Sequence, residues 1–182
     1  MLRIALALCI ALVACSGKAA KDPPAKDEPG KPASSELASS PEPAALTWKR
    51  VERPFGTLEI PTGAGWEVVD NQVEGKDGTV IMLQAQDGIS PEQIDDYLTS
   101  YDEVQKRDAP KYAGTAPTKG TVAGAVAARV EGSFDNGTKF VTRDFLVFAK
   151  GKVVMVSART PATNAAALAG IVDHAARSLQ IK

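Results

Sequence analysis

Val153-Val154-Met155-Val156 places four large apolar side chains in a row, and Phe145-Leu146-Val147-Phe148 and Val80-Ile81-Met82-Leu83 do the same. In a strand, successive side chains point to opposite faces. A run without polar alternation therefore carries apolar groups on both faces, and both must be kept from water. This excludes a sheet with one wet face and demands a cover on each side. Two amphipathic segments supply the covers. Ser90-Pro91-Glu92-Gln93 opens the first, with Ser90 as cap, Pro91 at the first helical position and Gln93 closing a capping box. Ile94, Tyr97, Leu98, Tyr101 and Val104 then form one stripe, with Asp95, Asp96, Asp102 and Glu103 off it. This helix should end near Arg107, before Pro110. The second helix is expected from Ala162 to Ser178, with Leu168, Ile171, Val172, Ala175 and Leu179 on its stripe.

The remaining strands follow from turn chemistry. Phe55 to Ile60 is followed by Pro61, Gly63 and Gly65, after which Trp66 to Val69 resumes. Val73-Glu74 and Thr79 to Gln86 flank the turn formers Gly75-Lys76-Asp77-Gly78. Asp108 to Gly120 reads as loop. Ala125 to Phe134 alternates, with Val126, Ala128, Val130 and Phe134 on one face. Asp135-Asn136-Gly137 is a hairpin signal. Thr138 to Ala149 returns, Lys150-Gly151 turns tightly, and Lys152 to Thr160 ends at Pro161. The order is meander, helix, three-stranded meander, helix. It predicts an α+β domain over residues 48–182: a mostly antiparallel sheet flanked by two amphipathic helices, an α/β sandwich.

Phe55, Ile60-Pro61, Gly65-Trp66, the central helix, the Asn136-Gly137 hairpin and the closing Ser178-Leu179-Gln180-Ile181 together resemble the DcrB/PsbP-like fold. The resemblance covers most of residues 48–182 and rests on packing and turn positions. It implies an accessory or binding module of a kind often found in lipoproteins. It carries no catalytic residues to this chain.

The N-terminus supplies an address. Met1-Leu2-Arg3 is positively charged, and Ile4 to Val13 is an uncharged apolar run. A membrane-spanning helix needs about 20 apolar residues, so this run suits an export signal instead. Leu12-Val13-Ala14-Cys15 followed by Ser16-Gly17 resembles the bacterial lipobox. The resemblance implies a lipoprotein signal peptide over residues 1–14 and lipid attachment, diacylglyceryl and palmitate-type acyl chains, at Cys15. An ordinary signal peptide with an incidental cysteine is the alternative. Ser16, where Asp would retain the protein, implies the outer membrane, facing the periplasm. Cys9 would leave with the signal and Cys15 would be a thioether, so the two form no disulfide.

Residues 15–47 are expected to be a lipidated, disordered tether. Six prolines, alternating lysines and acids, and Leu37 as the one large apolar residue fill Lys18 to Pro43. Such a segment has little to bury against its ordering entropy. A chain beginning near Ala44 is therefore expected to fold cooperatively by itself.

The search for chemistry excludes more than it finds. Net charge is −1 and aromatics are 5%, which leaves neither a basic face nor stacking platforms for nucleic acid. His174, the single histidine, lies beside the apolar stripe of the last helix and reads as a boundary residue. One imidazole and no free thiol make neither a catalytic triad nor a His/Cys zinc site. Gly63-Ala64-Gly65 is a turn and lacks the phosphate-loop pattern. Asp95 and Asp96 diverge by about 100° on a helix. Asp135-Asn136-Gly137 lacks the later ligands of a calcium loop, and the hairpin accounts for the sequon Asn136-Gly137-Thr138. Tyr97 and Tyr101, at helical spacing, read as core. No catalytic, cofactor or metal residues are assigned. The expected function is a non-catalytic, membrane-anchored envelope lipoprotein that docks a protein or small ligand. The alternatives are a carboxylate-dependent enzyme acting on cell-wall material and a structural component of an envelope assembly. Expected partners are the membrane, through the lipid, and an envelope protein.

Overall fold

The structure is a computed structural model that describes residues 35–43 and 45–182. The signal segment 1–14, Cys9, Cys15 and the first part of the tether lie outside the described residues. Five strands come first: β1 (Thr47–Arg53), β2 (Gly56–Thr62), β3 (Trp66–Val69), β4 (Gln72–Gly75) and β5 (Val80–Asp87). A single 3-10 turn at Pro91–Gln93 leads into α1 (Ile94–Asp108). There follow β6 (Ala113–Gly114), β7 (Thr118–Val122), β8 (Ala125–Asp135), β9 (Lys139–Ala149) and β10 (Lys152–Pro161). Another 3-10 turn opens α2 (Ala165–Arg177), and β11 (Gln180–Ile181) closes the chain.

The main sheet runs β3-β4-β5-β10-β9-β8-β6, with β7 also pairing β8. A smaller sheet runs β1-β2-β11. All pairings between these strands are antiparallel. The fold is therefore the expected α+β class. The central hairpin has the register that the apolar runs require, with Phe145 opposite Val156, Leu146 opposite Met155 and Phe148 opposite Val153. Lys150 and Gly151 both have positive φ, 52° and 71°, as a two-residue hairpin turn with the right twist needs.

The two faces of the main sheet carry separate cores. Phe145, Val147, Val154, Val156 and Ala158 pack with Leu58 and Ile60 of β2 and with Leu168, Ile171, Val172 and Ala175 of α2. Leu146, Phe148, Val153 and Met155 point the other way, to Leu98 and Tyr101 of α1. Tyr97 stands edge-on to Phe148, with centroids 5.7 Å apart. Both tyrosines of the stripe are thus packed against the sheet. Gln93 accepts a 2.9 Å hydrogen bond from the Ser90 amide, as the box at the start of α1 predicts.

Four strands differ from expectation. The predicted loop 108–120 holds β6 and most of β7. Gly120 is one of the residues that make 108–120 read as loop, yet a Cβ there would lie 2.5 Å from the Ser35 carbonyl oxygen. The glycine answers a close approach, not a loop. β1 (Thr-Trp-Lys-Arg-Val-Glu-Arg) is too polar to stand out, and none of its residues is fully buried. β11 is held by two register pairs with β2 and is too short to be seen from pattern.

Candidate functional site at the end of the second helix

The segment expected to be free tether is seated on the domain from residue 35. Leu37 is 3% exposed and belongs to the core under α2. Its amide donates to the Thr121 carbonyl at 3.0 Å, and the Thr121 amide donates to the Ser35 carbonyl at 3.1 Å. This parallel bridge adds the segment to the free edge of β7. Arg129 donates to the Ala38 carbonyl at 3.0 Å. Arg177 donates to the Glu36 carboxylate at 2.7 Å and to the Leu37 carbonyl. Further along, a Cβ at Gly170 would lie 2.1 Å from the Pro41 carbonyl oxygen. A glycine inside a helix costs about 1 kcal/mol relative to alanine. At Gly170 the missing Cβ makes room for the segment. The tether boundary at residue 47 is thereby corrected: residues 35–43 are part of the folded body, because Leu37 finds an apolar seat and two glycines clear the path.

The groove beneath the segment is built on a buried ion pair. Asp173 of α2 is 1% exposed. Arg143 of β9 grips it bidentately, Nε to Oδ1 at 2.8 Å and Nη2 to Oδ2 at 3.0 Å. The other guanidinium nitrogen donates to Glu131 at 2.7 Å. Asp173 Oδ2 also accepts the Ser40 amide at 2.6 Å, while Arg143 Nη2 reaches the Ser40 hydroxyl at 3.3 Å. Planar two-point pairing of this kind fixes orientation as well as charge.

His174 sits one residue on, at the boundary the sequence predicts, but it is more engaged than its position suggests. Its ring stacks on Trp48 of β1 at 3.7 Å and 15°. Nδ1 is 3.1 Å from the Glu42 carboxylate and Nε2 is 2.8 Å from that of Glu59. The hydrogen bond from His174, with help from Arg50, holds the Glu59 carboxyl below its ordinary value. Trp48 Nε1 also donates to Glu42. These contacts tie the segment, β1 and β2 to the last turn of α2.

Beside this groove lies a cleft of about 480 Å³. Val122, Ala125, Val147, Leu179 and Ile181 form its apolar walls, and Arg50, Lys150 and Arg177 stand at its edges. Lys150 Nζ donates to the Ile181 carbonyl at 2.8 Å. Ser178, also in the lining, has its hydroxyl engaged: it accepts the Glu59 amide at 2.7 Å and donates to the Ala175 carbonyl at 2.8 Å. Among the described residues, neither a carboxylate nor an imidazole lines the cleft. A pair of facing carboxyls, as glycoside hydrolysis needs, is not built there.

The other residues singled out in the sequence are dispersed. Asp95 pairs with Lys119 on the surface. Asp135 accepts the Gly137 amide at 2.9 Å within the hairpin turn, and Gly63 accepts the Trp66 amide at 3.1 Å in another turn. One polar group that sequence reasoning missed is Asp144, 4% exposed on the α1 face of β9. Burial pushes its carboxyl up to about 7, against the opposing bonds of Tyr101, Ser157 and the Ala158 backbone. Arg143, Asp173 and Leu37 were missed as well. Leu37 has a visible signal, as the one large apolar side chain in its segment. A single charged residue in an otherwise apolar stripe, such as Asp173, is another.

No protein-family model matches the chain, and no curated protein matches it either. Solved structures do. LpqN, described as involved in cell envelope biogenesis of Mycobacterium tuberculosis, aligns at TM-score 0.52 and 15% identity, over 76% of this chain and 92% of that one. The Ran-binding protein Mog1p of Saccharomyces cerevisiae aligns at TM-score 0.53 and 14% identity, over 75% and 96%. Cyanobacterial PsbP from Synechocystis sp. PCC 6803 aligns at TM-score 0.52 and 11% identity, over 80% and 99%. At these identities the likeness concerns the fold, and with the antiparallel sheet and two covering helices it establishes that this chain carries a PsbP/Mog1-like α+β domain.

Proposed function

We propose that the chain is a lipid-anchored accessory module of the bacterial envelope, attached through Cys15 and docking another envelope component at the end of α2. The cleft between α2, β11 and the β8–β9 edge carries this reading. It combines apolar walls with cationic edges, and its one hydroxyl is already engaged, so its chemistry favours holding over turnover. The fold shared with LpqN, a protein described as involved in envelope biogenesis, supports the envelope setting. The lipobox-like Leu12-Val13-Ala14-Cys15 supports the anchor, and Ser16 supports the outer membrane, facing the periplasm.

Two experiments test it. Cys15→Ala should release the protein from membranes and remove the mass of the lipid; a variant that still floats with membranes contradicts the anchor. A photo-crosslinking residue placed at Ala123 or Lys150 should give a discrete adduct in cells. The same residue at Lys76, in the β4–β5 turn, should not. Equal adducts from all three positions would remove the cleft as the docking site.

A further inference from the structure

We propose that the groove holding residues 35–43 is a peptide-binding site occupied in cis, and that a partner protein's extended segment, an acidic residue before a leucine and then small residues, exchanges with it. The inference goes beyond the docking role of the cleft and does not depend on it. The contacts divide as they do in strand addition to a sheet edge, where main-chain bonds hold and side-chain pockets select. The domain bonds the segment's backbone at the Ser35, Leu37 and Ala38 carbonyls and at the Leu37 and Ser40 amides. Any extended chain remakes such bonds. Selection comes from the seat of Leu37, from Arg177 opposite Glu36, and from Arg143 at Ser40. Gly120 and Gly170 give the passing backbone its clearance.

Exchange needs the hydrogen bonds and ion pairs of the segment to open together with one apolar seat, and no sheet ladder. Leu37 is its one large apolar anchor. Undocking it leaves every pairing of the two sheets intact, since the segment joins only through the bridge at Thr121. Segments of that kind open at a free energy well below global unfolding. Undocking uncovers the β7 edge, the leucine seat and the Arg177 guanidinium, whose Glu36 partner leaves with the segment, while Arg143 and Arg129 stay paired with Asp173 and Glu131. Arg177 suits an acidic residue in the incoming segment. The internal occupant has the advantage of high effective concentration, so a partner held on the same membrane competes best.

The test uses the full chain in detergent and a fluorescent peptide of residues 33–43. Leu37→Asp ejects the internal segment, and the variant should bind the peptide at least tenfold more tightly than the unmodified protein. Arg177→Glu added to that variant, or Leu37→Asp made in the peptide, should each reduce binding at least tenfold. A cooperatively folding Leu37→Asp protein that takes up peptide no better than the unmodified chain overturns the proposal. If Leu37→Asp does not fold, hydrogen exchange on the unmodified chain decides. Excess peptide should then speed exchange of the internal segment's amides at least tenfold, and no change overturns the proposal. A stable dimer of the unmodified chain at assay concentration would assign the groove to a second copy and overturn the partner reading.

Discussion

The two faces of the main sheet each bury one aspartate in β9 or against it, and they treat it in opposite ways. On the α2 face, Asp173 meets Arg143 in a bidentate pair and accepts the Ser40 amide as well. On the α1 face, Asp144 has hydroxyls and an amide for neighbours, and burial pushes its carboxyl up to about 7. Burial and the Asp144 charge in turn push the Tyr101 phenol well up. A buried acid must be paired or give up its charge. The α2 face pairs it and uses the pair to seat another stretch of chain. The α1 face lets it neutralise and stays a plain cover. Buried charge is thus compensated on one face and given up on the other.

The largest effect should come from breaking the pair. Arg143→Met leaves Asp173 buried with its charge uncompensated, which costs about 3–5 kcal/mol. Urea unfolding at pH 7 should show this loss, and an unchanged midpoint would mean that the pair is not closed in solution. The companion change on the other face should have the opposite sign. The folded chain holds the Asp144 proton up to about pH 7, where the unfolded chain has lost it near the ordinary 3.8. The contribution is therefore fully present below about pH 4 and is lost as pH rises to about 7. Asp144→Asn should flatten that slope and raise stability above pH 7 by roughly 2–4 kcal/mol. A parallel pH profile for the variant and the unmodified protein would show that Asp144 is not buried.

Smaller effects sharpen the contrast. Leu37→Ala removes the apolar anchor of residues 35–43 and should cost about 2 kcal/mol. A chain beginning near Ala44 should show at least that loss in thermal unfolding, although every strand of both sheets remains. His174→Gln forfeits the stack on Trp48 and two partly exposed carboxylate contacts, together about 1 kcal/mol. The variant should stay folded, and guanidinium unfolding gives the difference directly. Smallest is Lys106→Ala on the exposed side of α1, where the contact with Asp102 is an i,i+4 surface pair. That pair contributes about 0.3–0.5 kcal/mol.

The layering was legible in the sequence because it depends on local alternation. Phe145 to Phe148 and Val153 to Val156 have no polar face, so both covers could be placed from period and capping alone. The candidate site was far less legible. Leu37 sits among prolines and charges, and nothing local shows that it meets Thr121 and Arg177. Asp173 is a single acid in an apolar stripe and Asp144 stands at the start of an apolar run, and sequence does not tell which has an arginine across from it. Gly120 and Gly170 look like breakers when read locally. They are spacers for a chain segment far away in sequence. Long-range contacts of this kind leave only odd residues behind, a lone leucine here and a helix-interior glycine there.

The central claim is that residues 35–43 belong to the folded body. Amide hydrogen exchange on the full chain tests it most directly, at Leu37, whose amide bonds Thr121, and at Ser40, whose amide bonds Asp173. Both should exchange more slowly than in an unstructured peptide and faster than the amides of β9 and β10. Exchange of both at the unstructured rate would return the segment to a free tether and show that it is not part of the folded body.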